Sequence, residues 1–204
     1  MNTAIMNIPT AQKLSYADFQ GFDALKNNTQ QLNELINLYR EVFAEPVGWN
    51  EEYSYEEVMT NLSNELDVNA QLRLCLDREK QDEVVGFCWA QLLSLTDICE
   101  TVKSVQHYQA IGCPDIFTPL KQLLGDQPMV YLHDLGIKRE LRGKLSLNKL
   151  IYPVLEDVVM QTGVNKVFFW TIAETNVSKL AKRAGFELVL LHSGMQCYTG
   201  EITL

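Results

Sequence analysis

The sequence predicts a mixed α/β fold in a single domain, with a mostly antiparallel central sheet flanked by helices. Three observations carry this. Residues 128–172 read strand, helix, strand, and a helix that crosses back to the same end of a sheet makes its two strands parallel. Residues 71–93 and 187–200 each read as two strands joined by a short polar turn, which makes antiparallel pairs. The 204 residues are 47% hydrophobic and 21% charged, ordinary for a globular protein, and no repeat, low-complexity stretch or linker divides them. Residues 1–204 are therefore expected to form one domain.

Taken in order, residues 30–45 (QQLNELINLYREVFAE) place Leu32, Leu35, Ile36, Tyr39 and Phe43 on one helical face, and Pro46 stops the helix. A second helix begins at Ser54, with Glu57 three residues on as the partner of a capping box. The loop between them, PVGWNEEY, carries Trp49, Glu51 and Glu52. Residues 71–77 (QLRLCLD) alternate Leu72, Leu74 and Leu76 against Arg73, Cys75 and Asp77, which predicts a strand with one wetter face. After the turn REKQDE, residues 84–93 (VVGFCWAQLL) are apolar on both faces and read as a central strand. An insertion between the third and fourth strands is expected at about residues 95–127, with a helix in DICETVKSVQHYQAIG and a shorter one in TPLKQLLGDQP.

The fourth strand is MVYLHDLGI, residues 129–137. A helix follows in which Leu147, Leu150, Ile151, Val154, Leu155, Val158 and Val159 form an unbroken apolar stripe, with a kink expected at Pro153. KVFFWTI (166–172) is a strand, NVSKLAKRAGF a short helix closed by Gly185, and ELVLL with GMQCYTG a final antiparallel pair.

Composition narrows the function. A net charge of −9 argues against general nucleic-acid binding, which needs a basic surface. No apolar run approaches the ~20 residues that span a bilayer, and the N-terminus lacks a basic start with an apolar core, so neither a membrane span nor a signal peptide is expected. Five cysteines without CxxC spacing fit free thiols in a reducing compartment, so we expect a cytoplasmic protein with no disulfides and no metal site. Against this acidic background, residues 138–185 hold nine Lys or Arg and four acids. That local excess predicts a specific anionic ligand.

Two motifs, LGIKRELRGK (135–144) and NVSKLAKRAGFELV (176–189), together with the element order over about residues 13–200, resemble the GNAT superfamily of acyl-CoA-dependent N-acyltransferases. The resemblance implies a GNAT-like fold and acetyl-CoA as co-substrate. In that family a loop Gln/Arg-x-x-Gly-x-Gly/Ala offers main-chain N–H groups to the CoA pyrophosphate, an anion favoured by the positive end of the following helix. Here it corresponds to Arg142, Gly143, Lys144, Leu145, Ser146 and Leu147, with leucine at both glycine positions. A leucine still donates its amide at negative φ, and is strained where φ must be positive.

The resemblance further implies that the backbone of Leu135, Gly136 and Ile137 pairs with the pantetheine arm, and that Asn176 reaches its amides, a contact compatible with its also serving as the helix N-cap. His133 and Asp134 are the candidate general bases, expected on opposite faces of the strand. Arylalkylamine N-acetyltransferases are similar in carrying a histidine at the place of His133. Ala181 stands where many members have a tyrosine that protonates the leaving thiolate, which leaves Tyr198, water or unassisted departure. Trp49 with Glu51 and Glu52 would hold a cationic amine. The expected partner is a small-molecule or peptide amine acceptor, with no nucleic acid and no membrane, and the final strands allow a homodimer. The departures from the catalytic pattern leave one alternative, a non-catalytic acyl-CoA-binding or partner-binding module on the same fold.

Overall fold

The computed structural model describes residues 13–45, 50–103, 105–106, 115–172, 175–192 and 194–204. Seven strands form one sheet: β1 (Leu14–Gln20), β2 (Gln71–Asp77), β3 (Glu83–Leu93), β4 (Met129–Ile137), β5 (Lys166–Ile172), β6 (Glu187–His192) and β7 (Met195–Glu201). They lie in the order β1-β2-β3-β4-β5-β7-β6, and every pair is antiparallel except β4 with β5. The helices are α1 (Gly21–Lys26), α2 (Thr29–Phe43), α3 (Tyr55–Glu65), α4 (Leu95–Thr101), α5 (Phe117–Leu124), α6 (Leu147–Thr162) and α7 (Asn176–Arg183).

Alternation along β4 sends Val130 and Leu132 to one face and Tyr131 to the other. On the first face α6 lays Leu150, Ile151, Val154, Leu155, Val158 and Val159 against Cys75, Val85, Cys88 and Ala90. That is the predicted stripe, and α6 runs through Pro153 as one assigned helix. On the second face Leu32, Leu35, Ile36, Tyr39 and Phe43 of α2 pack with Val58 and Leu62 of α3 on Leu72, Leu74, Phe87 and Trp89. Ser54 and Glu57 make the expected reciprocal cap at the start of α3.

Two expectations change. Cys75 and Asp77, assigned to a wetter face of β2, are fully buried because β2 is an interior strand covered by α6. Asp77 meets the burial by accepting from the Glu79 N–H at 3.1 Å. Helix α1 was not anticipated; it starts at Gly21, where φ is +69° and an added Cβ would lie 2.9 Å from the Asp67 carbonyl oxygen. The segment expected as an insertion contains α4 and α5, which form a third apolar cluster with Tyr131, Phe168 and Met195.

Candidate active site

Pairing between β4 and β5 is confined to Val130 with Val167 and Tyr131 with Phe168. Beyond those pairs the strands part. Leu132–Leu135 and Ile137 on one side and Phe169–Ile172 on the other line a cavity of about 900 Å³. The loop after β4 closes one end with Arg142, Gly143, Leu145, Ser146, Leu147 and Asn148, while Glu45 from beyond α2 and Asn176, Lys179 and Arg183 of α7 complete the wall.

The loop shows how leucine replaces glycine. The left-handed conformation falls on Gly143, φ +79°, and neither Leu145 nor Leu147 has a positive φ. Leu145 turns its side chain into the core, where a Cβ added at Gly86 of β3 would sit 3.6 Å from its Cδ1. Leu145 therefore packs beside Gly86 at ordinary contact distance. Leu147 packs partly on the same cluster.

The amides divide into two sets. Those of Arg142, Lys144 and Leu145 are turned inward, to the carbonyls of Arg139 (3.3 Å), Leu141 (3.0 Å) and Leu141 (3.0 Å). The N–H groups of Gly143, Ser146, Leu147 and Asn148 donate to no described residue, as the first turn of a helix requires when no side chain caps it. The donors of Ser146, Leu147 and Asn148 at the N-terminus of α6, with that of Gly143 in the turn before it, are a site for an anion. The Arg142 guanidinium grips Glu45 through two bonds of 2.6 and 2.7 Å and donates from Nε to the Ile137 carbonyl at 3.0 Å. Lys138 is paired with Glu83.

On β4 the register against β3 runs from Cys88–Leu135 to Ala90–Leu132, three steps matching two. The extra residue makes a β-bulge at His133–Asp134, opposite Trp89. This corrects the expectation that the two side chains point to opposite faces. Both lie on the side of α2 and α3: Tyr39 Oη donates to Asp134 Oδ2 at 2.9 Å, and the His133 ring stacks on Trp89 with centroids 5.1 Å apart. After the bulge, Gly136 returns to the same face, and an added Cβ would stand 2.3 Å from the Phe87 ring. Glycine is needed there for packing.

The His133 side chain is 1% exposed, Glu65 of α3 4% and Asp134 12%. Glu65 Oε2 lies 3.6 Å from Nε2 of His133, and Asp134 Oδ2 lies 3.8 Å from Nδ1. These are ion-pair distances, and neither nitrogen has a hydrogen bond. Burial alone would lower the His133 pKa; the Glu65 charge, then Asp134, outweigh it and raise the histidine above its ordinary value. Glu65, His133 and Asp134 bring one donor atom each within 4.8 Å of one another. The carboxylates approach opposite nitrogens, however, and a metal on one nitrogen's lone pair would leave the other carboxylate across the ring. The His133 ring thus lies between two carboxylates, one at each nitrogen.

The remaining candidates separate. Trp49 lies outside the described residues. Glu51 accepts from Tyr53 Oη, and its N–H donates to the Phe43 carbonyl at 2.8 Å. Asn176 lines the cavity as the first residue of α7, whose cap is Thr175, accepting from the Ser178 N–H at 3.1 Å. Ala181 is buried, and Tyr198 donates to Gln196 within the core, away from the cavity lining. Sequence reasoning missed Glu45 and Glu65, and it placed Tyr39 in the core without its polar contact. A signal for Glu65 existed: it is an acid in the last turn of a helix with no basic residue there, the end where the helix dipole disfavours negative charge.

A splayed parallel pair within an otherwise antiparallel sheet, a bulged β4 and an open helix N-terminus beside it make up the GNAT fold, and this chain has it. No protein-family model matches the sequence, and no curated protein matches it. Among solved structures, NAA60 of Arabidopsis thaliana in complex with acetyl-CoA is similar at TM-score 0.57 and 18% identity, over 93% of this chain and 99% of that one. The polyamine N-acetyltransferase of Drosophila melanogaster, which forms N-acetylagmatine, has a TM-score of 0.59 and 16% identity, over 92% and 100%. The PaiA N-acetyltransferase of Thermoplasma acidophilum in complex with coenzyme A has 0.55 and 10%, over 92% and 99%. At these identities the likeness is one of fold.

Proposed function

We propose that this chain is an N-acyltransferase that moves an acetyl group from acetyl-CoA to an amine acceptor by direct attack. The observation that carries the reading is the single cavity joining the outward amides of Gly143, Ser146, Leu147 and Asn148 to the parted edge of β4 and to Asp134. The diphosphate rests on those amides, with Arg142 beside them. The pantetheine arm runs along the β4 edge at Leu135, Gly136 and Ile137 and meets Asn176. The thioester then lies at the bulge.

The acceptor ammonium gives one proton to Asp134, and the free amine's lone pair attacks the thioester carbonyl carbon to form the C–N bond of a tetrahedral intermediate. The C–S bond then breaks, the nitrogen loses its second proton to water, and CoA leaves as its thiolate. His133 stands behind Asp134 and supports its charge. Proton transfer to a positioned group of this kind contributes about 10²–10⁴-fold. Solved proteins of this fold include a polyamine acetyltransferase and a NatC complex bound to a Gag peptide and CoA, which supports a small-molecule or peptide amine as the acceptor. We assign Glu51 and, from the sequence alone, Trp49 to the acceptor.

The test is incubation with acetyl-CoA and a panel of amines and peptides, read by mass and by release of the CoA thiol. Acetylated product together with free thiol is the expected result; neither, across the panel, counts against the enzyme. A second reading is favoured by Ala181 in place of a tyrosine and by Arg142 already gripped by Glu45. This is a non-catalytic acyl-CoA-binding module, and it predicts CoA binding without transfer.

A further inference from the structure

We infer that Glu65, on the last turn of α3, is a positioning residue of the proposed acyl transfer, holding His133 against Asp134 so that the Asp134 carboxylate faces the cavity. The inference rests on the acyltransferase reading for its consequence, but its structural half stands alone.

Four elements bring polar or aromatic groups to this histidine. Glu65 comes from α3, Asp134 and Tyr131 from β4, Trp89 from β3 and, through its bond to Asp134, Tyr39 from α2. Tyr53 adds a hydroxyl bound to Glu51 nearby. No lysine or arginine side chain is paired with Glu65 or Asp134 among the described residues. Burial pushes the Glu65 carboxyl above its ordinary value, and the His133 charge is the largest influence opposing that, ahead of the Lys103 charge. Keeping both buried carboxylates ionised needs a counter-charge, because an unpaired buried charge costs several kcal/mol or more. His133 is the group in place to supply it.

The two acids are held differently. The Glu65 carboxylate accepts from the Lys103 main-chain N–H at 2.8 Å, which ties it to the segment after α4 and keeps it away from the cavity. Asp134 is the more exposed of the two and lines the cavity. With the imidazolium shared between them, one negative charge remains for the pair, and it is accessible on Asp134. An incoming ammonium meets it there. Without Glu65 the histidine loses the partner that contributes most to its charge, burial favours the neutral ring, and Asp134 loses its support.

The experiment uses the full chain with ¹⁵N-labelled histidine, of which the sequence has three, and compares wild type with Glu65→Gln and Glu65→Asp. At pH 7 the His133 ring nitrogens of the wild type should give the imidazolium signature. In Glu65→Gln they should give the neutral signature, and Glu65→Asp should restore the charge. With acetyl-CoA and phenethylamine as probe, kcat/KM of Glu65→Gln should fall about tenfold or more at pH 7, with acetyl-CoA affinity unchanged within about twofold. A neutral His133 in the wild type overturns the inference even if no variant folds, and so does a charged His133 in Glu65→Gln. Loss of acetyl-CoA binding in Glu65→Gln alone would mean a general structural role and would overturn it too. If the wild type binds no acetyl-CoA, the acyltransferase reading fails, and the ring signature still decides what Glu65 does.

Discussion

At the loop end of the cavity the polar groups on offer belong to the main chain, the N–H groups of Gly143, Ser146, Leu147 and Asn148. At the β4 bulge they are side chains: Asp134, His133 and Glu65, with Tyr39 behind. The two ends therefore respond differently to substitution. A main-chain site survives replacement of its residues provided the backbone keeps its path, which Leu145 achieves at negative φ with its side chain in the core. A site made of side chains has no such tolerance, since each group is fixed by others far away in sequence.

Three substitutions would break or sharpen that contrast. The largest effect is expected from Leu145→Ala. Removing a buried leucine costs about 2–5 kcal/mol, read by urea denaturation, while acetyl-CoA affinity should stay near the wild-type value because the amides remain. A large loss of affinity with stability intact would show that the leucine side chain itself meets the ligand. Next is Arg142→Glu, which sets a like charge beside the diphosphate. Affinity should fall about tenfold or more at low salt and recover in part as salt screens the exposed site. An unchanged affinity would show that the loop does not face the diphosphate. The smallest is Glu45→Gln. Glu45 occupies the Arg142 fork that would otherwise face an anion, and exposed pairs of this kind are worth about 0–1 kcal/mol. Acetyl-CoA should therefore bind up to about fivefold more tightly. Weaker binding would make Glu45 a support of the loop instead of a competitor.

Legibility in the sequence follows the same division. Strands β2, β4 and β5 and the stripe of α6 were readable to the residue, because each depends on a local period of two or of about 3.6. The loop was readable as a motif, but that Leu145 and Leu147 keep negative φ, with the left-handed turn on Gly143, was not. The bulge was not readable. One extra residue on β4 is visible only against the register of β3, and without it His133 and Asp134 fall on opposite faces. The partners of that pair, Glu65 and Tyr39, arrive from helices whose place over the sheet is a tertiary fact. Trp49, assigned to the acceptor from sequence, lies outside the described residues.

The most direct test is isothermal titration of the full chain with acetyl-CoA. If the outward amides after Gly143 take the diphosphate, binding should be saturable at micromolar ligand, about −8 kcal/mol, and should weaken with added salt. Absence of heat at about 1 mM acetyl-CoA, in protein shown to be folded, would contradict the account at its root.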